Sequence, residues 1–275
     1  MQASKPGGGM RIGIIGGGFM GEAFLRGLVR AEVAAPNDIA VAEVSPARRA
    51  ALGEHGVRVT DDAQSAAIGA EVVLIAVKPQ DLAAAGTSLQ GAIGKDAVVI
   101  SIAAGVRLDD IRRFTGHRAC VRVMPNLPAA IGEGAAVYLV APEVSAAQRA
   151  RVREVVAAVA KVAVEVPDDE AVDLATAIHG SGPAYVYLFI ESLVEVAVRL
   201  GMKRHDAEQL VLATVAGSAA YALETGLHPA VLRNAVTSPG GTTAAALAEL
   251  EAAGFRTAID SAVDAAFERA QELGE

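Results

Sequence analysis

Three glycines, Gly16-x-Gly18-x-x-Gly21, stand in IGIIGGGFMGEAF, after an apolar strand-like run and at the opening of a helix-like one. This spacing suits a dinucleotide pyrophosphate. Gly16 allows the tight turn, Gly18 lets backbone approach the phosphates, and Gly21 lets helix and strand pack closely. The helix N-terminus adds unpaired N–H groups and a positive dipole end. Phe19 and Met20 lie inside the motif and count with it as cofactor-binding. Glu43 follows Gly21 by 22 residues at the end of the next strand-like run, where an acidic side chain takes ribose hydroxyls. Glu43 repels a 2′-phosphate and favours NADH. Ser45, Arg48 and Arg49, close behind it, suit that phosphate and favour NADPH. The sequence leaves both cofactors open.

A second set of residues lies far downstream. Ser238-Pro239-Gly240-Gly241-Thr242-Thr243 interrupts an Ala- and Leu-rich helical half. Two glycines without side chains let backbone N–H groups face an anion, and a helix N-terminus after them favours negative charge. Three more stretches stand out. Ala76-Val77-Lys78-Pro79 and Met124-Pro125-Asn126 each put a proline at the C-terminal end of a strand-like run, where ligands lie in open α/β sheets, and both stretches count as cofactor-binding. Gly180-Ser181-Gly182-Pro183 reads as a break between two helices, with His179 ahead of it at a helix end.

The elements that must position these groups follow from the apolar pattern. Runs at 11–16, 39–44, 71–77, 97–102, 120–125, 135–140 and 162–166 are nearly continuous and β-branched, with helical stretches between them. That pattern predicts a doubly wound, mostly parallel sheet covered on both faces. After Val166 the strand-like runs stop and helical periodicity takes over, as at 205–224. The expected division is therefore a Rossmann-like nucleotide domain over 10–166 and an all-α domain over 167–275. Residues 1–9 read as an extension without the apolar core of a signal peptide.

Together the motifs resemble pyrroline-5-carboxylate reductase, from about Met10 to the C-terminus. Ser238–Thr243, followed by GFRTAID, is the most specific part; GSGPAY and Met124-Pro125-Asn126 support it. The resemblance implies hydride transfer from NADPH or NADH to the C=N bond of 1-pyrroline-5-carboxylate, giving L-proline, the last step of proline biosynthesis. It implies Thr243 as the catalytic residue at the ring nitrogen, and Ser238, Gly240, Gly241 and Thr242 as substrate-binding with it. It also implies a homodimer through the helical domain, with each active site using both chains, and often a decamer. No metal is expected.

Charge narrows how the substrate is held. Up to residue 166 there are 18 Lys and Arg against 16 Asp and Glu, and beyond it 6 against 16. With so few cations, a substrate carboxylate at 238–243 relies on backbone donors and hydroxyls. An acidic half is also a poor nucleic-acid surface. No uninterrupted apolar run reaches the roughly 18 residues of a membrane span. One cysteine, Cys120, and five scattered histidines give no disulfide and no zinc spacing. Cys120 reads as a buried structural thiol in a cytoplasmic protein. No G-x-S-x-G elbow supports a hydrolase. Three alternatives remain: an imine reductase on another cyclic imine, a β-hydroxyacid-dehydrogenase-like enzyme, and a non-enzyme that senses NAD(P) or serves assembly. The second needs a helical lysine, and beyond 166 only Lys203 is present.

Overall fold

The computed structural model describes residues 9–274. The expected extension therefore lies outside the described residues, except for Gly9. Short apolar runs and helices alternate as β1 (Ile12–Ile15), α1 (Phe19–Arg30), β2 (Ile39–Ala42), α2 (Pro46–Gly53), β3 (Arg58–Thr60), α3 (Ala63–Ala67), β4 (Val72–Ile75), α4 (Leu82–Ser88), β5 (Val98–Ser101), α5 (Leu108–Thr115), β6 (Cys120–Pro125), β7 (Gly134–Val140), α6 (Ala146–Ala157), β8 (Ala160–Glu165) and α7 (Asp169–Ala175). Helices alone follow: α8 (Gly182–Arg199), α9 (Arg204–Thr225), α10 (Pro229–Ala235), α11 (Thr242–Ala252) and α12 (Phe255–Glu272).

The strands form one sheet in the order β3-β2-β1-β4-β5-β6-β7-β8. β1 sits between β2 and β4, with Ile14 opposite both Val41 and Leu74. The chain winds outward from β1 in both directions, so the strand order reverses between β1 and β4. Every residue of β1, β2, β4 and β5 is buried, which is why these runs show no polar alternation. Phe24, Leu25 and Leu28 of α1 join the same core.

The mostly parallel sheet has one antiparallel pair, β6 with β7. The connection, residues 126–133, is too short for a crossover, which takes about a dozen residues or more. β3 is a three-residue strand with exposed or half-buried side chains, so it has no apolar run to reveal it. Cys120 is buried, its thiol donates to the His117 carbonyl at 3.2 Å, and burial pushes its pKa up to about 11.

Arg122 is a charge inside β6. Its side chain is 3% exposed and pairs with Asp169 at 2.6 Å and Asp173 at 2.5 Å on α7. The guanidinium is satisfied from two sides, which is what allows it in an apolar strand.

The described chain forms two compact units. The first runs through Ser181 and also takes the residues from Ala266 onward; the second is Gly182–Ala265. In the second, α8 packs against α9, yet only Val194 and Ala207 are buried. The Gly-Ser-Gly-Pro segment corrects the expected break. Gly180 ends a π-helical turn, Thr176–Gly180, Ser181 follows it, and Gly182 and Pro183 already belong to α8. Pro183 is the second residue of α8, where its missing N–H has no helical partner to lose. The helical run 169–199 is long and apolar enough to cross a membrane by length and composition, with 6% of its apolar window buried. Charges at 169, 170, 173, 191 and 195 hide that hydropathy from a search for uninterrupted runs.

Candidate active site

The glycine motif occupies the turn between β1 and α1. Gly16 has φ +99°, a left-handed conformation that favours glycine, and its N–H donates to the Ala42 carbonyl at 2.8 Å. Gly18 is the N-cap of α1 without a side-chain cap, and a Cβ on it would meet nothing within 4 Å. A Cβ on Gly21 would overlap the Gly16 carbonyl oxygen. The three glycines thus make the turn, leave open space above the helix N-terminus, and allow helix and strand to touch.

A cleft of about 930 Å³ opens at the C-terminal ends of β1, β2, β4 and β5. This is the switch point of the strand order, where open α/β sheets bind ligands. Gly16, Gly18, Phe19, Met20, Glu43, Ala76, Val77, Lys78 and Pro79 line it. Lys78 is the N-cap of the short 3-10 turn Pro79–Asp81, so Pro79 turns the chain at the mouth of the cleft. A helix N-terminus above an open glycine, at the switch point of a cleft this size, fits a dinucleotide. Among the described residues no group of His, Cys, Asp or Glu suits a metal ion.

Glu43 stands at the wall of this cleft. Its carboxylate accepts from the Gly17 N–H at 2.9 Å and the Ser45 N–H at 2.8 Å. Ser45, Arg48 and Arg49 do not line the cleft. The Ser45 hydroxyl caps α2 through the Arg48 N–H. The Arg48 guanidinium donates to the Gly17 carbonyl at 2.6 Å and pairs with Glu22 at 2.7 Å. That bond holds the Glu22 carboxyl below the usual range. Asp61 and Asp62, which drew no attention in the sequence, also line the cleft. Asp62 caps α3, and its bond from the Ser65 hydroxyl lowers its pKa.

Met124, Pro125 and Asn126 lie away from the lining of that cleft. They are tied to the π-helical turn instead. His179 reaches the Met124 carbonyl with Nε2 at 2.8 Å and the Ala175 carbonyl with Nδ1 at 2.6 Å. Asn126 donates to the His179 carbonyl at 3.1 Å and accepts from the Ala135 N–H at 2.9 Å. Both His179 nitrogens lie within hydrogen-bond distance of carbonyl oxygens, a neutral ring donates to one of them, and the ring joins the end of β6 to the π-helical turn. The sequence signal for this tie is an Asn directly after Met-Pro and a His directly before the glycine break; nothing in their spacing, 53 residues apart, pairs them.

In the helical unit, residues 238–243 form the turn into α11. Gly240 has φ +69°, and a Cβ on Gly241 would overlap the Ser238 hydroxyl. Gly241 is the N-cap, with no side chain capping the first turn. Thr242 and Thr243 open the helix, the first exposed and the second half-buried. Three arginines of this unit have local partners. Arg256 pairs with Glu251 at 2.9 Å, Arg204 with Glu195 at 2.7 Å, and Arg233 donates to Asn234 at 3.3 Å. Lys203 is the N-cap of α9. The turn therefore offers backbone N–H groups, a positive helix end and three hydroxyls.

Two family models match parts of the chain. The family model for pyrroline-5-carboxylate reductase dimerisation matches residues 169–273, and the model described as NADP oxidoreductase coenzyme F420-dependent matches residues 11–105. The chain is similar to the pyrroline-5-carboxylate reductase of Synechocystis, 46% identical over 96% of this chain and 98% of that one. It is similar to that of Escherichia coli K12, 37% identical over 96% and 98%. Among solved structures it superposes on a pyrroline-5-carboxylate reductase from Coxiella burnetii with a TM-score of 0.87, at 34% identity over 97% and 99% of the two chains. The enzyme from Plasmodium falciparum, solved with NADP bound, gives a TM-score of 0.87 at 29% identity over 97% and 100%.

Proposed function

The chain belongs to the pyrroline-5-carboxylate reductase family, and from that premise we propose how its own residues divide the work. It reduces the C=N bond of 1-pyrroline-5-carboxylate to L-proline with a nicotinamide cofactor. When bound, the reduced nicotinamide supplies the hydride that goes to the imine carbon. Residues 10–166 hold the nucleotide. The Gly16–Gly21 turn and the α1 N-terminus take its pyrophosphate, and Glu43 takes the ribose hydroxyls. Ala76, Val77, Lys78 and Pro79 line the cleft beside it.

Residues 167–275 hold the substrate and a second chain. N–H groups of the first turn of α11 bind the substrate carboxylate, with Ser238 and Thr242 beside them. The Thr243 hydroxyl faces the ring nitrogen, donating to the neutral imine or accepting from the protonated one. It need not be a strong acid, because the proton can arrive through water. The observation that carries this assignment is the uncapped N-terminus of α11 behind Gly240-Gly241.

The dimerisation region makes the protein a homo-oligomer. We propose a dimer through the helical unit, extended to a decamer, in the cytoplasm. The exposed apolar side chains of α8, including Leu188 at 65%, suit burial against a second copy. The test is turnover of racemic 1-pyrroline-5-carboxylate, followed by loss of nicotinamide absorbance and by chiral analysis of the product. Formation of L-proline is the expected result; dinucleotide binding without proline formation would overturn the assignment.

A further inference from the structure

The sequence leaves the cofactor choice open, and the side chains of Glu43, Ser45, Arg48 and Arg49 bear on it. We propose that Glu43 makes this reductase prefer NADH, by filling the 2′ position of the adenosine ribose with a fixed carboxylate. The proposal rests on the nucleotide-binding role given to the cleft above.

Glu43 lines the cleft and is anchored by two backbone N–H groups, from Gly17 and Ser45. Those bonds hold it beside the glycine turn. Each carboxylate oxygen has a further lone pair, so it can still accept from ribose hydroxyls. A 2′-phosphate at the same place would bring two negative charges against a carboxylate held there by two backbone N–H groups. Asp61 and Asp62 line the same side of the cleft and add to the repulsion.

The residues able to reverse this are turned elsewhere. Arg48 is bonded to the Gly17 carbonyl and to Glu22, and Arg49 to the Glu43 and Val44 carbonyls at 2.9 Å. Arg49 also faces Asp61 at 3.8 Å. The Ser45 hydroxyl caps α2. A phosphate would have to pull Arg48 from a carboxylate and a carbonyl and pass Glu43 to meet it. In the Plasmodium relative NADP is bound; that is a property of that protein's residues, and the preference here follows from the group at position 43.

Calorimetric titration of the full-length protein with NAD⁺ and NADP⁺, without substrate, reads the preference directly. The expected result is at least tenfold tighter binding of NAD⁺, with the ratio shrinking as salt rises. Glu43→Gln should cut the ratio at least tenfold. Glu22→Gln, which removes the acid that holds Arg48, should raise NADP⁺ affinity at least threefold while leaving NAD⁺ affinity near the wild-type value. It also keeps the test intact if Glu43→Gln does not fold. Equal or tighter binding of NADP⁺ by the wild type overturns the proposal, and so does an unchanged ratio in both variants. Turnover with the imine is measured separately. A protein that ranks NAD⁺ first but makes no proline keeps this proposal and loses the reductase assignment. A protein that makes proline but ranks NADP⁺ first does the reverse.

Discussion

The two units of this chain bury their apolar residues to very different extents. The sheet unit encloses Phe24, Ile12, Ile14, Leu74 and Ile100 with almost no exposure. The helical unit, 84 residues long by its bounds Gly182–Ala265, buries only Val194 and Ala207 and leaves Leu188, Leu200, Leu210 and Leu223 more than half exposed. The first unit has a core of its own. The second has apolar faces that one chain cannot cover, which is the physical content of a dimerisation region. The difference also sorts the chemistry. The self-sufficient unit presents a preformed cleft, whereas the unit that needs a partner carries the turn proposed for the substrate.

Mutations should respect that difference. The largest effect is expected in the sheet unit at Arg122, whose guanidinium bonds Asp169 and Asp173. Arg122→Ala leaves two carboxylates without their cation, one of them buried, and should cost about 3–5 kcal/mol in denaturant unfolding. A loss under about 1 kcal/mol would show that the ion pair does not hold β6 to α7. In the helical unit, Leu188→Asp should weaken self-association by about 2 kcal/mol, roughly thirtyfold in the dissociation constant by sedimentation. Nucleotide affinity should stay within about twofold of wild type if the sheet unit is self-sufficient. The smallest effect is at Cys120. Its thiol should not react with a disulfide reagent near pH 8 until the protein unfolds. With a pKa raised from 9.0 to about 11 by burial, its contribution to stability is complete below pH 9 and is lost as pH rises through 11. Rapid labelling of the native protein would contradict that burial.

The same contrast explains what the sequence revealed. The sheet was legible because buried parallel strands are nearly continuous apolar runs, and the nucleotide turn because each glycine in it does a separate steric job. The antiparallel return of β7 depends on the length of the 126–133 connection rather than on the runs themselves. β3 has too few apolar residues to stand out. The tie between Asn126 and His179 and the place of Asp61 and Asp62 in the cleft are long-range contacts that no local pattern encodes. Arg48 was visible as a cation near the ribose, but its bond to Glu22, 26 residues away, was not. In the helical unit the turn at Ser238–Thr243 was legible from its glycines. The π-helical form of 176–180 was not, because glycines and a proline usually end a helix.

If nucleotide binding belongs to the sheet unit and substrate chemistry to the turn at α11, the two can be separated by one substitution. Thr243→Ala tests it most directly, with nucleotide affinity and single-turnover hydride transfer measured on the same preparation. Nucleotide affinity should stay within about twofold of wild type while hydride transfer slows roughly ten- to a thousandfold, as for loss of one polar contact to a transition state. Unchanged hydride transfer, or a matching loss of nucleotide affinity, would contradict it.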